Sequence, residues 1–232
     1  MMIVRMVVSS LLLCVCTSAQ AQEGTPKLET VKQKASYQLG MNVGNNMRRQ
    51  GLPVDPELVA QGVLAGLKGD KSPFTATEVQ EIFRALDAEM QKMKSAKAEA
   101  NKAAGMKFLA ENKDKEGVKV TKSGLQYKVI KEGDGAQPTT DSTVTTHYRG
   151  TLIDGTVFDS SYQGEAPAPT DEPISFGVTQ VIKGWTEALQ LMKVGSHYRL
   201  FIPSELAYGA NGPGEIGPNS VLVFEIYLQG VR

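Results

Sequence analysis

Cysteine is nearly absent from this chain of 232 residues: Cys14 and Cys16 are the only two, and both fall within the first 21 positions. Those 21 residues read as an export signal. Arg5 is the positive start, VVSSLLLCVC the apolar stretch and Ala19-Gln20-Ala21 a small-x-small cleavage site. The apolar run falls short of the roughly 20 residues that span a bilayer, which argues against a membrane anchor. Cleavage before Gln22 leaves a mature chain without a thiol, so disulfides, thiol nucleophiles and cysteine metal sites are excluded from it. Lipidation of Cys16 stays open as the minor alternative, since Val15 is bulkier than the residue such signals place there.

Histidine is also scarce, with only His147 and His197. No G-x-S-x-G elbow occurs, and no cluster of histidines and carboxylates has the spacing of a metal site, so hydrolytic chemistry lacks its parts. His147, beside Tyr148 in a strand pattern, reads as structural. Neither sign of charge prevails, with 25 Lys+Arg against 25 Asp+Glu. No basic stripe with interleaved aromatics runs along the chain, so nucleic acid is excluded as a partner. Gly212-Pro213-Gly214-Glu215-Ile216-Gly217 matches G-x-G-x-x-G in letters alone. Pro218 and a strand pattern follow it, where a dinucleotide site needs a helix. It reads as a flexible loop.

The residues present divide into two patterns. From Lys27 to about Gly117 the period is helical. Leu28, Val31, Ala35, Leu39, Val43 and Met47 form one apolar stripe, stopped by Gly51-Leu52-Pro53. Asp55-Pro56 reads as an N-cap with proline at the first helical position, and Leu58, Val59, Val63 and Leu67 as the face of a short helix ending near Gly69. Thr75-Ala76-Thr77-Glu78 fits a capping box, and the apolar pattern from Val79 to Phe108 implies a helix on the order of 50 Å long. Its second half, KSAKAEANKAAG, has few large apolar residues and reads as a solvated stalk. Two short helices offer little cover for so long a third, and Met41, Met47, Met90 and Met93 add adaptable apolar surface. A second copy of the chain supplies that cover, so a homodimer is expected.

Beyond Gly117 the period becomes two. Leu125, Tyr127 and Val129 alternate with polar residues, as do Val144, Thr146 and Tyr148, then Tyr198, Leu200 and Ile202, and finally Leu222, Phe224, Ile226 and Leu228. Turn clusters separate these strands, and one helical pattern, Thr186 to Met192, interrupts them. An antiparallel sheet wrapped on one short helix is the expected arrangement, and the fold class of the whole is α+β. Among the strands lies QVIKGW, which holds the one tryptophan, Trp185. In GTVFDSSY, Asp159 by residue type alone reads as a turn aspartate capping its own backbone.

HYRGTLIDGTVFDSS, QVIKGWTEAL, PSELAYG and GPNSVLVFEIYL, in that order, resemble the signature segments of the FK506-binding-protein (FKBP) family of peptidyl-prolyl cis-trans isomerases. The helical half resembles the macrophage infectivity potentiator and FkpA branch of that family. Beyond the signal segment 1–21, the resemblance implies a helical dimerisation domain over 22–74, a long connecting helix over 75–117 and an isomerase domain over 118–232. The last would be an antiparallel half-barrel clasping a short helix. Carried over by motif, Tyr148, Phe158, Asp159 and Tyr208 are the catalytic set, and Val181, Ile182, Trp185, Ile216 and Phe224 bind substrate. Trp185 is then core and pocket floor at once.

The implied activity is rotation of X-Pro bonds with no metal or cofactor. The implied partners are proline-containing unfolded or nascent exported polypeptides, a second copy of the chain, and macrolide inhibitors of the FK506/rapamycin type. The implied location is the periplasm or the outer membrane. A holdase chaperone whose prolyl pocket mainly binds clients is the alternative. Two departures from the commoner pattern stand out. QGEAPAPTDEP, Gln163 to Pro173, is long, acidic and proline-rich, and leaves the wall aromatic open between Ile174 and Phe176. Lys183 stands where bacterial relatives often carry proline.

Overall fold

The computed structural model describes residues 26–232. The expected signal segment with Cys14, Cys16 and the cleavage site therefore lies outside the described residues. Two compact units divide at Val43–Gly44.

Helix α1 spans Val31–Gln50. The Thr30 hydroxyl accepts from Gln33 N–H at 3.2 Å, and the Gln33 side chain accepts from Thr30 N–H at 2.9 Å, a reciprocal cap. Gly51, at φ 65°, ends the helix. Helix α2, Pro56–Lys68, starts as its sequence requires. The Asp55 carboxylate accepts from the N–H groups of Glu57 and Leu58, Pro56 occupies the first turn, and Gly69 closes the other end at φ 81°. Helix α3, Ala76–Asn112, opens on the Thr75/Glu78 capping box and runs 37 residues, about 55 Å at 1.5 Å per residue. Neither α1 nor α2 buries a side chain within the chain.

The remaining elements are β1 (Val118–Val120), β2 (Gln126–Lys131), β3 (Thr143–Leu152), β4 (Val157–Ser160), β5 (Ile174–Gly177), α4 (Lys183–Leu189), β6 (His197–Ile202) and β7 (Leu222–Val231). The strands form one seven-stranded sheet in the order β1-β2-β6-β7-β3-β4, with β5 also on β3, and every pair is antiparallel. The strand β3 thus carries β4 and β5 at different heights on one edge, and residues 161–173 form the excursion between them. The inward residues of each alternating run are buried: Val144, Thr146 and Tyr148 on β3, Tyr198, Leu200 and Ile202 on β6, and Leu222, Phe224, Ile226 and Leu228 on β7. They close on α4, whose Trp185, Ala188 and Leu189 join the same core.

Two sequence expectations need correction. The short helix begins at Lys183 and ends at Leu189, not Thr186 to Met192. The Ile182 carbonyl accepts from both Trp185 and Thr186 N–H, so the first turn starts there. Gly184, a poor helix former, is needed because a Cβ would stand 2.5 Å from Ile202 Cγ2. The second half of α3 is also no free stalk. A Cβ on Gly105 would lie 2.7 Å from Val221 Cγ2, and Phe108 packs on Phe201 at 6.0 Å between ring centroids. The buried Asn112 donates to the Gln126 side-chain oxygen at 2.9 Å, while Gln126 donates to Leu109 O at 2.8 Å. Apart from Phe108, the docking face is made of small and polar residues, which let the helix approach closely but give little apolar pattern to reveal it.

Candidate active site

A cavity of about 390 Å³ opens between α4 and the concave face of the sheet, lined by Tyr148, Asp159, Phe176, Gln180, Val181, Ile182, Trp185, Tyr208 and Phe224. Other depressions of 320 to 370 Å³ occur on the surface, so volume does not single this one out. Its aromatic character does.

The alternation of β3 and β7 sends Tyr148 and Phe224 to the inner face, where they are diagonal neighbours, Tyr148 paired with Ile226 and Phe224 with Gly150, their rings 6.3 Å apart. The indole of Trp185, carried by α4, lies between them. It meets Phe224 edge-on at 5.2 Å, Tyr148 at 5.3 Å and Phe176 at 5.8 Å, all near perpendicular. Such edge-to-face geometry is the favourable one for aromatic quadrupoles. The indole N–H is buried and finds no acceptor among the described residues, so the floor presents ring surface with no bound polar partner.

Polarity rises toward the mouth. Tyr148 O–H donates to an Asp159 carboxylate oxygen at 2.7 Å, and Asp159 itself is exposed. Burial, reinforced by the Asp159 hydrogen bond and charge, pushes the Tyr148 phenol well above the ordinary tyrosine range. Tyr148 therefore keeps its proton and Asp159 acts as acceptor. Tyr208 also lines the cavity and is exposed. Ile182, the N-cap of α4, is in extended backbone (φ −60°, ψ 151°), and its N–H has no acceptor among the described residues.

Of the nine residues singled out from sequence, Tyr148, Asp159, Val181, Ile182, Trp185, Tyr208 and Phe224 share this cavity. Phe158 and Ile216 do not line it. Phe158 packs edge-on against the Phe224 ring at 5.5 Å, and Ile216 is buried in the core cluster with Trp185 and Phe224.

Three residues of the site were missed or undecided. Phe176 is the wall aromatic, while Ile174 is exposed. Gln180 lines the mouth, its side-chain oxygen accepting from Gly177 N–H at 3.3 Å. Gly150 lies under two rings, where a Cβ would come within 2.6 Å of Phe158 and 2.7 Å of Phe224. A glycine inside a strand pattern is the signal of such close approach. His147 lies behind the sheet, its Nδ1 3.1 Å from the Ser161 hydroxyl and its ring edge-on to Tyr162, in keeping with a structural part.

Two family models match the chain: "Domain amino terminal to FKBP-type peptidyl-prolyl isomerase" over residues 32–129, and "FKBP-type peptidyl-prolyl cis-trans isomerase" over 135–229. The outer membrane protein MIP of Legionella longbeachae is 41% identical over 98% of this chain and 97% of its own length. FkpA of Aeromonas hydrophila is 40% identical over 93% of this chain and 82% of its own. Among solved structures, FkpA from Escherichia coli aligns over 89% of this chain and 99% of that one at 34% identity, with a TM-score of 0.62. The chain belongs to the FKBP-type peptidyl-prolyl cis-trans isomerases, among relatives of the Mip and FkpA kind. The aromatic cavity lies in its isomerase domain.

Proposed function

We propose that the cavity turns X-Pro bonds without covalent chemistry, and that the aromatic cluster on Trp185 carries this reading. Rotation of an X-Pro bond must break amide resonance, at a barrier of about 20 kcal/mol. The twisted amide is less dipolar than the planar one. A dry ring-lined site therefore holds it better than the ground state, and this difference in binding is all the catalysis that is needed. The proline ring would lie on Trp185 between Tyr148, Phe176 and Phe224. The free N–H of Ile182 is placed to hold a peptide carbonyl, with the Tyr208 hydroxyl and the Asp159 carboxylate orienting the polar groups on either side. No metal or cofactor enters this scheme.

The clients would be proline-containing exported polypeptides. The signal pattern in residues 1–21 and the relative named as an outer membrane protein support an exported location, periplasmic or at the outer membrane. The apolar residues exposed on α1, α2 and the first half of α3 support a homodimer built on residues 22–74, joined through residues 75–117 to the isomerase domain, with accompanying chaperone activity.

The deciding experiment measures cis-to-trans relaxation of a short proline peptide with and without a macrolide of the FK506/rapamycin type, on the parent and on Asp159→Asn. Macrolide-sensitive turnover, reduced about three- to tenfold in the variant as a charged hydrogen bond becomes a neutral one, is expected. Turnover that ignores both the macrolide and the substitution would place catalysis elsewhere. Binding of unfolded chains without turnover would favour the holdase.

A further inference from the structure

The loop from Gly209 to Val221 joins two parts of the cavity, following Tyr208 and ending just before β7 with Phe224. Its ends are tied together. Asn219 N–H donates to Gly209 O at 2.8 Å, and the Ser220 hydroxyl donates to Ile216 O at 2.5 Å. Asn219 has φ 54°, the one non-glycine residue in the left-handed region among the described residues. Asparagine is among the non-glycine residues that best tolerate this region, so it suits the tight turn, and further hydrogen bonds hold the turn in place.

The fixing groups come from α3. Asn101 Nδ2 donates to Pro218 O at 2.7 Å and to the Ser220 hydroxyl at 3.1 Å. Asn219 Nδ2 donates in return to Ala98 O at 3.4 Å. A Cβ on Gly217 would sit 3.1 Å from Lys97 Cε, and Gly105 packs on Val221, so four residues along one face of α3 meet this loop. The amide of Asn101 uses its donors on the segment between Ile216 and Phe224. A helix that needed only to pack would place an apolar side chain at that position.

We propose that Asn101 is a positioning residue of the isomerase. By holding Pro218–Ser220 it sets the loop that backs the cavity with Ile216 and, through Asn219 and Gly209, the approach of Tyr208 to the mouth. The stretch of α3 around Asn101 is then part of the catalytic unit as well as a connector. This rests on the reading of the cavity as the prolyl site.

The test uses the full chain. Asn101→Asp removes both donors in the same shape, and Asn101→Ala removes them without adding charge. Phe108→Ala loosens the same helix at Phe201, away from the loop. Four quantities are measured: kcat/KM on a short proline peptide, macrolide Kd, thermal unfolding, and hydrogen exchange at the Asn219 amide. Both Asn101 variants should lower kcat/KM about three- to tenfold, the worth of one or two hydrogen bonds. They should weaken macrolide binding by a similar factor and speed Asn219 exchange, with an unfolding temperature close to the parent's. Phe108→Ala should lower the unfolding temperature and leave kcat/KM unchanged. Unaltered turnover in both Asn101 variants would overturn the proposal. So would an equal loss of turnover in Phe108→Ala, because helix docking would then act through stability alone. An inactive parent would sink the isomerase reading instead, and Asn219 exchange would decide the clamp by itself.

Discussion

The helical and sheet regions of this chain are similarly supplied with apolar residues but dispose of them differently. On the helices Leu39 is 67% exposed, Leu58 65%, Leu67 83% and Phe83 59%, whereas Leu125, Leu189 and Leu200 of the sheet region are 0% exposed. A seven-stranded sheet curved over one helix closes its core within a single chain. Amphipathic helices with apolar stripes and no facing layer do not. One region closes its core alone and the other leaves apolar stripes uncovered, so under the proposed homodimer a change in the first should show in stability and turnover, and a change in the second in association.

The largest expected effect tests the closed region. Trp185→Ala removes the ring on which Tyr148, Phe176 and Phe224 converge, and should cost about 3 to 5 kcal/mol, as other aromatic truncations in cores do. Urea unfolding measures it, and turnover should vanish with the floor. A loss below about 1 kcal/mol would mean that the site collapses to fill the space, in conflict with its perpendicular ring packing.

Next comes the open region. Full-length protein should sediment as a dimer. Leu58→Lys or Phe83→Lys should weaken pairing by tenfold or more, taking about 1.5 to 3 kcal/mol for each large apolar side chain no longer buried, with short-peptide turnover unchanged. A parent that sediments as a monomer would break the comparison, because the exposed stripes would then need another occupant. Truncation sharpens it further. A fragment of residues 97–232 keeps the docked half of α3 and should retain short-peptide turnover. A fragment of residues 118–232 retains every residue assigned to the pocket but loses Phe108 on Phe201 and Asn112 on Gln126. It should unfold at a lower temperature. Both should lose much of the ability to speed refolding of a large proline-limited client, since two pockets on one dimer raise the effective concentration of the second contact.

What could be read from the sequence follows the same division. The caps at Asp55 and Thr75 and the alternation in β3, β6 and β7 are local signals, visible because hydrogen bonds and pleats impose fixed spacings. The sequence pattern starts α4 too late because Gly184 weakens the helical signal for the sake of Ile202, a residue 18 positions on. Phe176 does not stand out from Ile174 in the sequence because the two lie on the same face of β5, opposite Val144 and Thr146, so alternation alone does not separate them. The α3 docking face, Ala98, Asn101 and Gly105, is small and polar, and small residues do not announce what they touch. Gly150 was legible in principle, as a glycine inside a strand.

The smallest expected effect concerns one proton. The Tyr148 phenol is raised chiefly by burial and then by the bond to Asp159, and burial also pushes Tyr162 and Tyr198 up to about 12 and raises Tyr227. In the unfolded chain each titrates near 10. A raised folded value means that the neutral phenol is favoured in the fold. The corresponding stability is fully present below about pH 10 and is lost as pH climbs from there toward the folded value. Unfolding free energy should therefore fall above about pH 10. In Tyr148→Phe the fall should be shallower, as one of these four phenols no longer contributes. At pH 7 the variant keeps its edge contact with Trp185 and should unfold near the parent's midpoint. Its turnover should drop about two- to fivefold, because the Asp159 carboxylate is then free to reorient. Urea midpoints at pH 7, 9, 10 and 10.5 for both proteins make the measurement. Parallel curves would mean that Tyr148 ionises as it does in water, and that the mouth of the cavity is far wetter than its geometry implies.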